Sequence, residues 1–375
     1  MIKPLFNQLM NLALSVYVRL NPAQIERIGK DWTPPTDLKS ILVFSNTALG
    51  DTLLSTPAIA SLRQSFPQAK LTFFVHRAMA PLFEGLEPVD EIVLYHGGFR
   101  KFVRTVFALR KVRPQAALLL HSNAPQDIPM AVLSGARIIL KPPTTSEYKH
   151  YLSCQFVPKS QHTIEDRLDL VRLLGGTKLT TCMYLPRRYA ERKQDMLRDL
   201  GGKRIIGFQP GAANTWRMWP VENFANLADR LAQSLNDIEI VITGSRKEWP
   251  LAQKIIDLCA TRHIHNHCGN YDIQELPFLL REFNLLVTND TGTMHLAIAL
   301  KVPTLCLFGA SSASLIGPYQ DHEIHKVIQK SFESMAGIPK KKRSNAAMKQ
   351  ITVDETLKVA VEMLEKKSNT ANTPR

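Results

Sequence analysis

From residue 38 onward the chain keeps repeating one pattern: a short apolar run, a turn, then a stretch with apolar residues at helical spacing. "SILVFS", "KLTFFVH", "EIVLYH", "AALLLH" and "ARIILK" read as buried strands, with helices through "AIASLRQSF" and "FRKFVRTVFALRKVR". The pattern returns in "RIIGFQ", "IEIVIT", "IHNHCG", "NLLVT" and "TLCLF", separated by "ENFANLADRLAQSL", "PLAQKIIDLCA", "LPFLLREF" and the helix after "NDTG". Apolar strands alternating with helices call for a parallel sheet, because each crossover lays a helix on a sheet face. A chain of 375 residues has room for two such sheets, each with its own core. The expected class is therefore α/β, with two Rossmann-like domains facing each other across a cleft. Ligands of such sheets sit outside the carboxyl ends of the strands, so the strand-to-helix loops carry the chemistry.

The break "WTPPTD" (32–37) closes an amino-terminal extension, residues 1–36. A first Rossmann-like domain then spans 37–185, with a polar, turn-rich stretch from about 141 to 163 before the helix "IEDRLDLVRLLGG". A linker is expected near "YLPRRYAERK" (184–193), a second Rossmann-like domain over 186–352, and a closing helix with a frayed tail over 353–375. In the extension, Leu5, Leu9, Leu12, Val16 and Leu20 recur at helical spacing, which predicts an amphipathic helix. Docking on the body of the protein and anchoring on a membrane surface both fit that stripe.

Hydrophobic content of 45% and charged content of 21% belong to a folded protein, whereas the net charge of +14 is far from zero. It favours an anionic partner: nucleic acid, a membrane surface or phosphorylated small molecules. The five cysteines (Cys154, Cys182, Cys259, Cys268, Cys306) form no CxxC pair, as expected of a reduced, cytoplasmic protein. No apolar run approaches the roughly 20 residues that cross a bilayer. The apolar patch after Lys3 leads into Arg19 and "LNP" without a small-x-small cleavage site, which argues against a secretion signal.

Three loops stand out. In "SNTALGDTLLSTPAIASLR", Gly50 permits a tight turn and Asp51 falls where a helix begins, either as an N-cap or as a general base. In "FQPGAANTWRMWP", Pro210 and Gly211 turn the chain, and Arg217 either reaches an anion or stacks on Trp216 or Trp219. In "NDTGTMH", Thr291, Gly292 and Thr293 lie at a helix N-terminus, where free N–H groups and the helix dipole attract phosphate, and His295 follows one turn on. Neither G-x-G-x-x-G nor G-x-x-x-x-G-K-[ST] occurs, which argues against a dinucleotide oxidoreductase and a P-loop NTPase.

Other features carry less. "HIHNHC" (His263, His265, His267, Cys268) looks like a metal tract but has no companion cluster, and no metal site is expected. No Asp-x-Asp pair offers a clamp for a divalent cation. The helix "FRKFVRTVFALRKVR" is basic without an acidic residue and has Phe99, Phe102, Val103 and Val106 to bury, so it reads as a solvated face or a dock for an anionic acceptor or membrane. "PKKKR" (339–343) reads as a loop.

In their order, "ALGDTLLSTPAIASLRQSFPQAKL", "PGAANTWRMWPVENFANLADRL" and "NDTGTMHLAIALKVPTLCLFG", with "GP" at 317–318, resemble the bacterial lipopolysaccharide heptosyltransferases of glycosyltransferase family 9 over roughly residues 38–365. The resemblance implies a GT-B fold, a nucleotide-diphosphate-heptose donor, usually ADP-heptose, in the second domain, and an anionic lipopolysaccharide or Kdo-lipid A acceptor in the first. It implies Asp51 as general base in an inverting, metal-independent transfer without cofactor. Arg217, Thr291, Gly292, Thr293 and His295 would hold the diphosphate, Asp290 would meet the sugar, Glu248 in "GSRKEW" would meet the ribose, and Gly211 would also line the donor site. Thr293 stands where many members carry Pro, and Arg217 replaces a frequent Lys. Peripheral contact with the cytoplasmic face of the inner membrane goes with such an acceptor. A GT-B transferase or epimerase for another nucleotide sugar is the second enzyme reading. A basic nucleic-acid-binding protein is the non-enzyme reading, which the spread of charge and the lack of a nucleic-acid motif disfavour.

Overall fold

In a computed structural model the described residues are 2–21, 25–98, 101–192, 194–330, 338 and 343–371, with the side chains of 2–7 and 367–371 outside the description. The chain divides into two compact units, Met1–Pro186 and Arg187–Arg375.

Unit one is built on β1 (Ser40–Ser45), β2 (Lys70–His76), β3 (Glu91–Tyr95), β4 (Ala116–His121) and β5 (Ile138–Leu140), all parallel, in the order β3-β2-β1-β4-β5. Every residue of β1 is buried, as an apolar run covered on both faces requires. Phe44, Phe74 and Tyr95 meet edge to face from three neighbouring strands, at 4.9 and 5.4 Å between ring centres. The register of β1 against β4 slips after Phe44, so that Ser45 pairs with His121. That irregularity re-aims the strand ends where the order of strands reverses.

Of three local expectations, one needs correction and two gain detail. The helix Ile2–Leu20 forms, but Met10 and Leu14 enter the core while Leu9, Leu12, Val16 and Leu20 stay exposed. Both faces of this helix are apolar, so periodicity marked a stripe without saying which stripe the core takes; Leu5 lies outside the described side chains. In the basic helix Phe102–Lys111, Thr105 and Leu109 are buried and Phe102 and Val106 pack partly, but Val103 points out and Phe99 lies outside the described residues. The 141–163 stretch has little regular structure, yet Tyr148, Tyr151 and Leu152 fill the core and Ser153 exchanges hydrogen bonds of 2.9 Å with Ile139. It acts as a cover for the edge at β5.

Unit two carries β6 (Arg204–Gln209), β7 (Ile238–Ile242), β8 (Ile264–Asn266), β9 (Leu285–Asn289), β10 (Thr304–Phe308) and β11 (His325–Gln329), parallel in the order β11-β10-β9-β6-β7-β8. The strand β11 was not among the sequence expectations, because "HKVIQ" is an edge with only its first residue buried. The closing helix Val353–Ala371 sends Ala360 and Leu364 into the same core as the helix Val221–Ser234. Residues 372–375 of the tail lie outside the described residues, as do 339–342 of the basic run. In both sheets the strand order reverses once, between β1 and β4 and between β6 and β9, and there two neighbouring strands send their loops apart.

Candidate active site

In unit one the reversal puts the loop after β1 beside the end of β4. The chain leaves Ser45 through Asn46 and Thr47 into the helix Leu49–Leu53, whose N-cap is Ala48. Asp51 is therefore in the first turn rather than at the cap, and its side chain is about a third exposed at 36%. One carboxylate oxygen lies 3.3 Å from His121 Nε2 and 4.0 Å from Arg167 Nη2, and the other accepts from Thr47 Oγ1 at 3.4 Å. His121 Nδ1 and the Thr47 hydroxyl are 2.6 Å apart.

Burial, then the Arg167 guanidinium and Lys141, hold the His121 imidazolium in check, although Asp51 pulls the other way; its pKa falls to about 4. At neutral pH the ring is neutral and carries one proton. A carboxylate beside Nε2 favours the proton there, leaving Nδ1 to accept from Thr47. Asp51 then faces one neutral donor, His121 Nε2–H, and one cation, Arg167, which aim its carboxylate.

Arg167 comes from the helix Thr163–Leu173, where it shares the buried face with Ile164, Leu168 and Val171. Its Nη1 donates to the Asp51 carbonyl at 2.6 Å and to Ser55 Oγ at 2.9 Å, while Nε and Nη2 are buried without a hydrogen-bond partner. Burial brings its pKa down to about 10, still fully charged at neutral pH. At the end of β5, Lys141 donates to Ser122 O at 2.5 Å and Ser122 Oγ at 2.6 Å; burial lowers it to about 8 against the pull of Asp127. Asp127 is raised by burial to about 6, although it accepts from Asn46 Nδ2 and Ala124 N at 2.8 Å. His121, Lys141, Thr163, Asp166 and Arg167 border a cavity of about 250 Å³, a recess in which two cations meet one carboxylate and which shares His121 and Arg167 with Asp51.

In unit two the loops after β6 and β9 meet. Asn289, at the end of β9, donates to Pro210 O at 2.7 Å and accepts from Trp219 N at 3.1 Å, which pins one loop to the other. Arg217 Nη1 lies 3.1 Å from Asp290 Oδ2, which also accepts from Ser311 Oγ at 2.5 Å. The guanidinium sits 4.7 Å from the Trp216 ring, so Arg217 both stacks and pairs; its Nε is buried without a hydrogen-bond partner. Glu248 reaches back to Ser245 N at 2.6 Å and Ser245 Oγ at 2.7 Å, and lies over Gly211, where a Cβ would come within 1.5 Å of Glu248 Oε1. A Cβ there would force the Glu248 carboxylate out of its place. Thr291 caps the helix Gly292–Ala299, its hydroxyl accepting from Met294 N at 3.4 Å, with Gly292 and Thr293 half-buried and His295 buried on the same first turns.

The structure thus brings Gly211, Arg217, Glu248, Asp290, Thr291, Gly292, Thr293 and His295 to one strand reversal, and Asp51 to the other. The "HIHNHC" tract is engaged otherwise. His263 Nδ1 and His265 Nε2 lie 3.0 and 2.8 Å from Glu239, which also binds Lys203. Among the described residues no three His, Cys, Asp or Glu converge as a metal group. Sequence reasoning missed His121, Lys141 and Arg167. The signal existed: His121 and Lys141 are the polar ends of apolar strands, and Arg167 sits on the apolar face of its helix.

Two Rossmann-type units with anion-ready strand ends define an α/β nucleotide-type fold, and the comparisons make the class specific. The chain belongs to glycosyltransferase family 9 (heptosyltransferase), whose sequence profile matches residues 146–350. Lipopolysaccharide heptosyltransferase 3 of Escherichia coli is 25% identical over 295 residues, covering 73% of this chain and 85% of that protein. A glycosyl transferase family 9 structure from Veillonella parvula superposes with a TM-score of 0.75 at 23% identity, covering 88% of this chain and 98% of that one. E. coli ADP-heptose lipopolysaccharide heptosyltransferase II gives 0.72 at 20% identity, covering 88% of this chain and all of that one. The fold is accordingly of the GT-B type.

Proposed function

We propose that the protein transfers heptose from ADP-heptose to the inner core of lipopolysaccharide, with inversion and without a metal, using Asp51 as general base. The observation that carries this reading is the aimed carboxylate of Asp51, held by His121, Thr47 and Arg167 beside the recess that Lys141, Asp166 and Arg167 border. The acceptor hydroxyl oxygen attacks the anomeric carbon, its proton passes to Asp51, and the bond from that carbon to the diphosphate breaks, leaving its electrons on ADP. Lys141 and Arg167 suit a carboxylate or phosphate on the acceptor near the attacking hydroxyl.

The leaving diphosphate gains negative charge in the transition state. Free N–H groups at the start of the helix Gly292–Ala299, the Thr291 and Thr293 hydroxyls, His295 and Arg217 are preset donors for it, which supports a metal-independent departure. Asp290 fixes Arg217 in place, and Glu248 over Gly211 suits a ribose hydroxyl. The sugar named for the E. coli relatives supports heptose as cargo. A thermal-shift series with ADP-heptose and with UDP- and GDP-linked sugars, followed by nucleotide release on heptose-deficient lipopolysaccharide, tests the reading. Stabilisation and turnover are expected with ADP-heptose; a response confined to UDP- or GDP-sugars would overturn the donor assignment.

A further inference from the structure

The amino-terminal helix Ile2–Leu20 turns an apolar row outward. Leu9, Leu12, Val16 and Leu20 recur on one side of it, between 47% and 76% exposed, while Met10 and Leu14 on the other side hold it to the core. The basic helix Phe102–Lys111 adds Val103 and Phe107, each 64% exposed. Among the described residues, these two helices supply six of the eleven large hydrophobic side chains that stand exposed. They are neighbours: the Arg110 guanidinium lies 5.8 Å from the Tyr17 ring centre, and Tyr17, Phe102 and Val106 pack against one core. An outward apolar row of this extent on a folded unit marks a docking face.

Charge decides what docks there. Neither helix contains Asp or Glu, and Arg19, Lys101, Arg104, Arg110, Lys111 and Arg113 are exposed on or beside them. A second copy of so basic a face would repel the first, whereas an anionic bilayer supplies both hydrocarbon for the apolar row and headgroups for the cations. No described helix is long and apolar enough to cross a membrane, so this face would lie on the bilayer rather than span it. We infer that the outer faces of helices Ile2–Leu20 and Phe102–Lys111 form a docking surface for anionic phospholipid membrane, independent of which sugar the protein moves.

The test is co-sedimentation of the full chain with vesicles of phosphatidylglycerol and phosphatidylethanolamine, and with phosphatidylcholine alone, at low and high salt. Binding to the anionic vesicles, weakened by salt, is expected. The pair Leu12→Ser and Phe107→Ser, and separately Arg104→Glu with Lys111→Glu, should each lower partitioning by about tenfold. All four side chains are exposed, so the melting temperature should hold and misfolding is monitored directly. Wild type left in the supernatant, or variants that partition like wild type, would overturn the inference. So would a wild-type dimer that Leu12→Ser with Phe107→Ser makes monomeric without any vesicle binding, since the face would then belong to a second copy.

Discussion

The two strand reversals use the same position in the fold and opposite materials. In unit one, the reversal between β1 and β4 gathers ionisable side chains out of water, with His121 pushed down to about 4, Asp127 up to about 6 and Lys141 down to about 8. In unit two, the reversal between β6 and β9 gathers a helix start, a glycine that a side chain overlies, threonine hydroxyls and one guanidinium paired with Asp290. Buried groups with displaced pKa values suit proton transfer, whereas backbone donors and a fixed cation suit holding an anion that never changes its proton count. In the function proposed above, proton removal falls to unit one and the leaving group to unit two.

The largest break in this division should come from Asp51→Asn, which keeps the side chain's shape and removes the base. Nucleotide release should fall on the order of a thousandfold in kcat. Arg217→Ala should act on the other half, lowering kcat/KM by about a hundredfold through both donor binding and departure, because a preset donor to the diphosphate is gone. Gly211→Ala should cost less, about tenfold in donor KM, because its new methyl displaces Glu248 and the bonds Glu248 makes to Ser245.

The smallest effect is on stability and sharpens the account of unit one. Between about pH 6.5 and 4 the unfolded chain protonates His121 and the folded one does not, so acid removes stability through this group. Asp127 has the opposite sign: between about pH 6 and 4 the folded form takes the proton first, and acid adds stability. Relative to wild type, His121→Asn should therefore gain stability on going from pH 7 to 5, and Asp127→Asn should lose it, each by about tenfold in the unfolding constant. Urea titrations at the two pH values check the signs; the same sign for both variants would remove the buried-charge account.

Much of this was legible in the sequence because each local signal had one physical cause. Apolar strands ending in "SNT", "QPG" and "NDTG" located three of the loops, and the helix start after Thr291 could be read from residue types alone. What was missing depended on which strands are neighbours. His121 meets Asp51 only because β1 and β4 pair across the reversal, a long-range choice that no local pattern encodes. Arg167 arrives from still further along the chain to bond the Asp51 carbonyl. The amino-terminal helix was legible as a helix, but with apolar residues on both faces its spacing left open which side faces the core; the Leu9, Leu12, Val16 and Leu20 stripe faces outward.

The division of labour is tested most directly by ADP affinity in Asp51→Asn set beside Arg217→Ala, measured by calorimetry on both full-length variants. The account predicts that Asp51→Asn binds ADP as wild type does while releasing almost no nucleotide from ADP-heptose, and that Arg217→Ala loses ADP affinity. ADP affinity lost in Asp51→Asn, or turnover retained there, would contradict it.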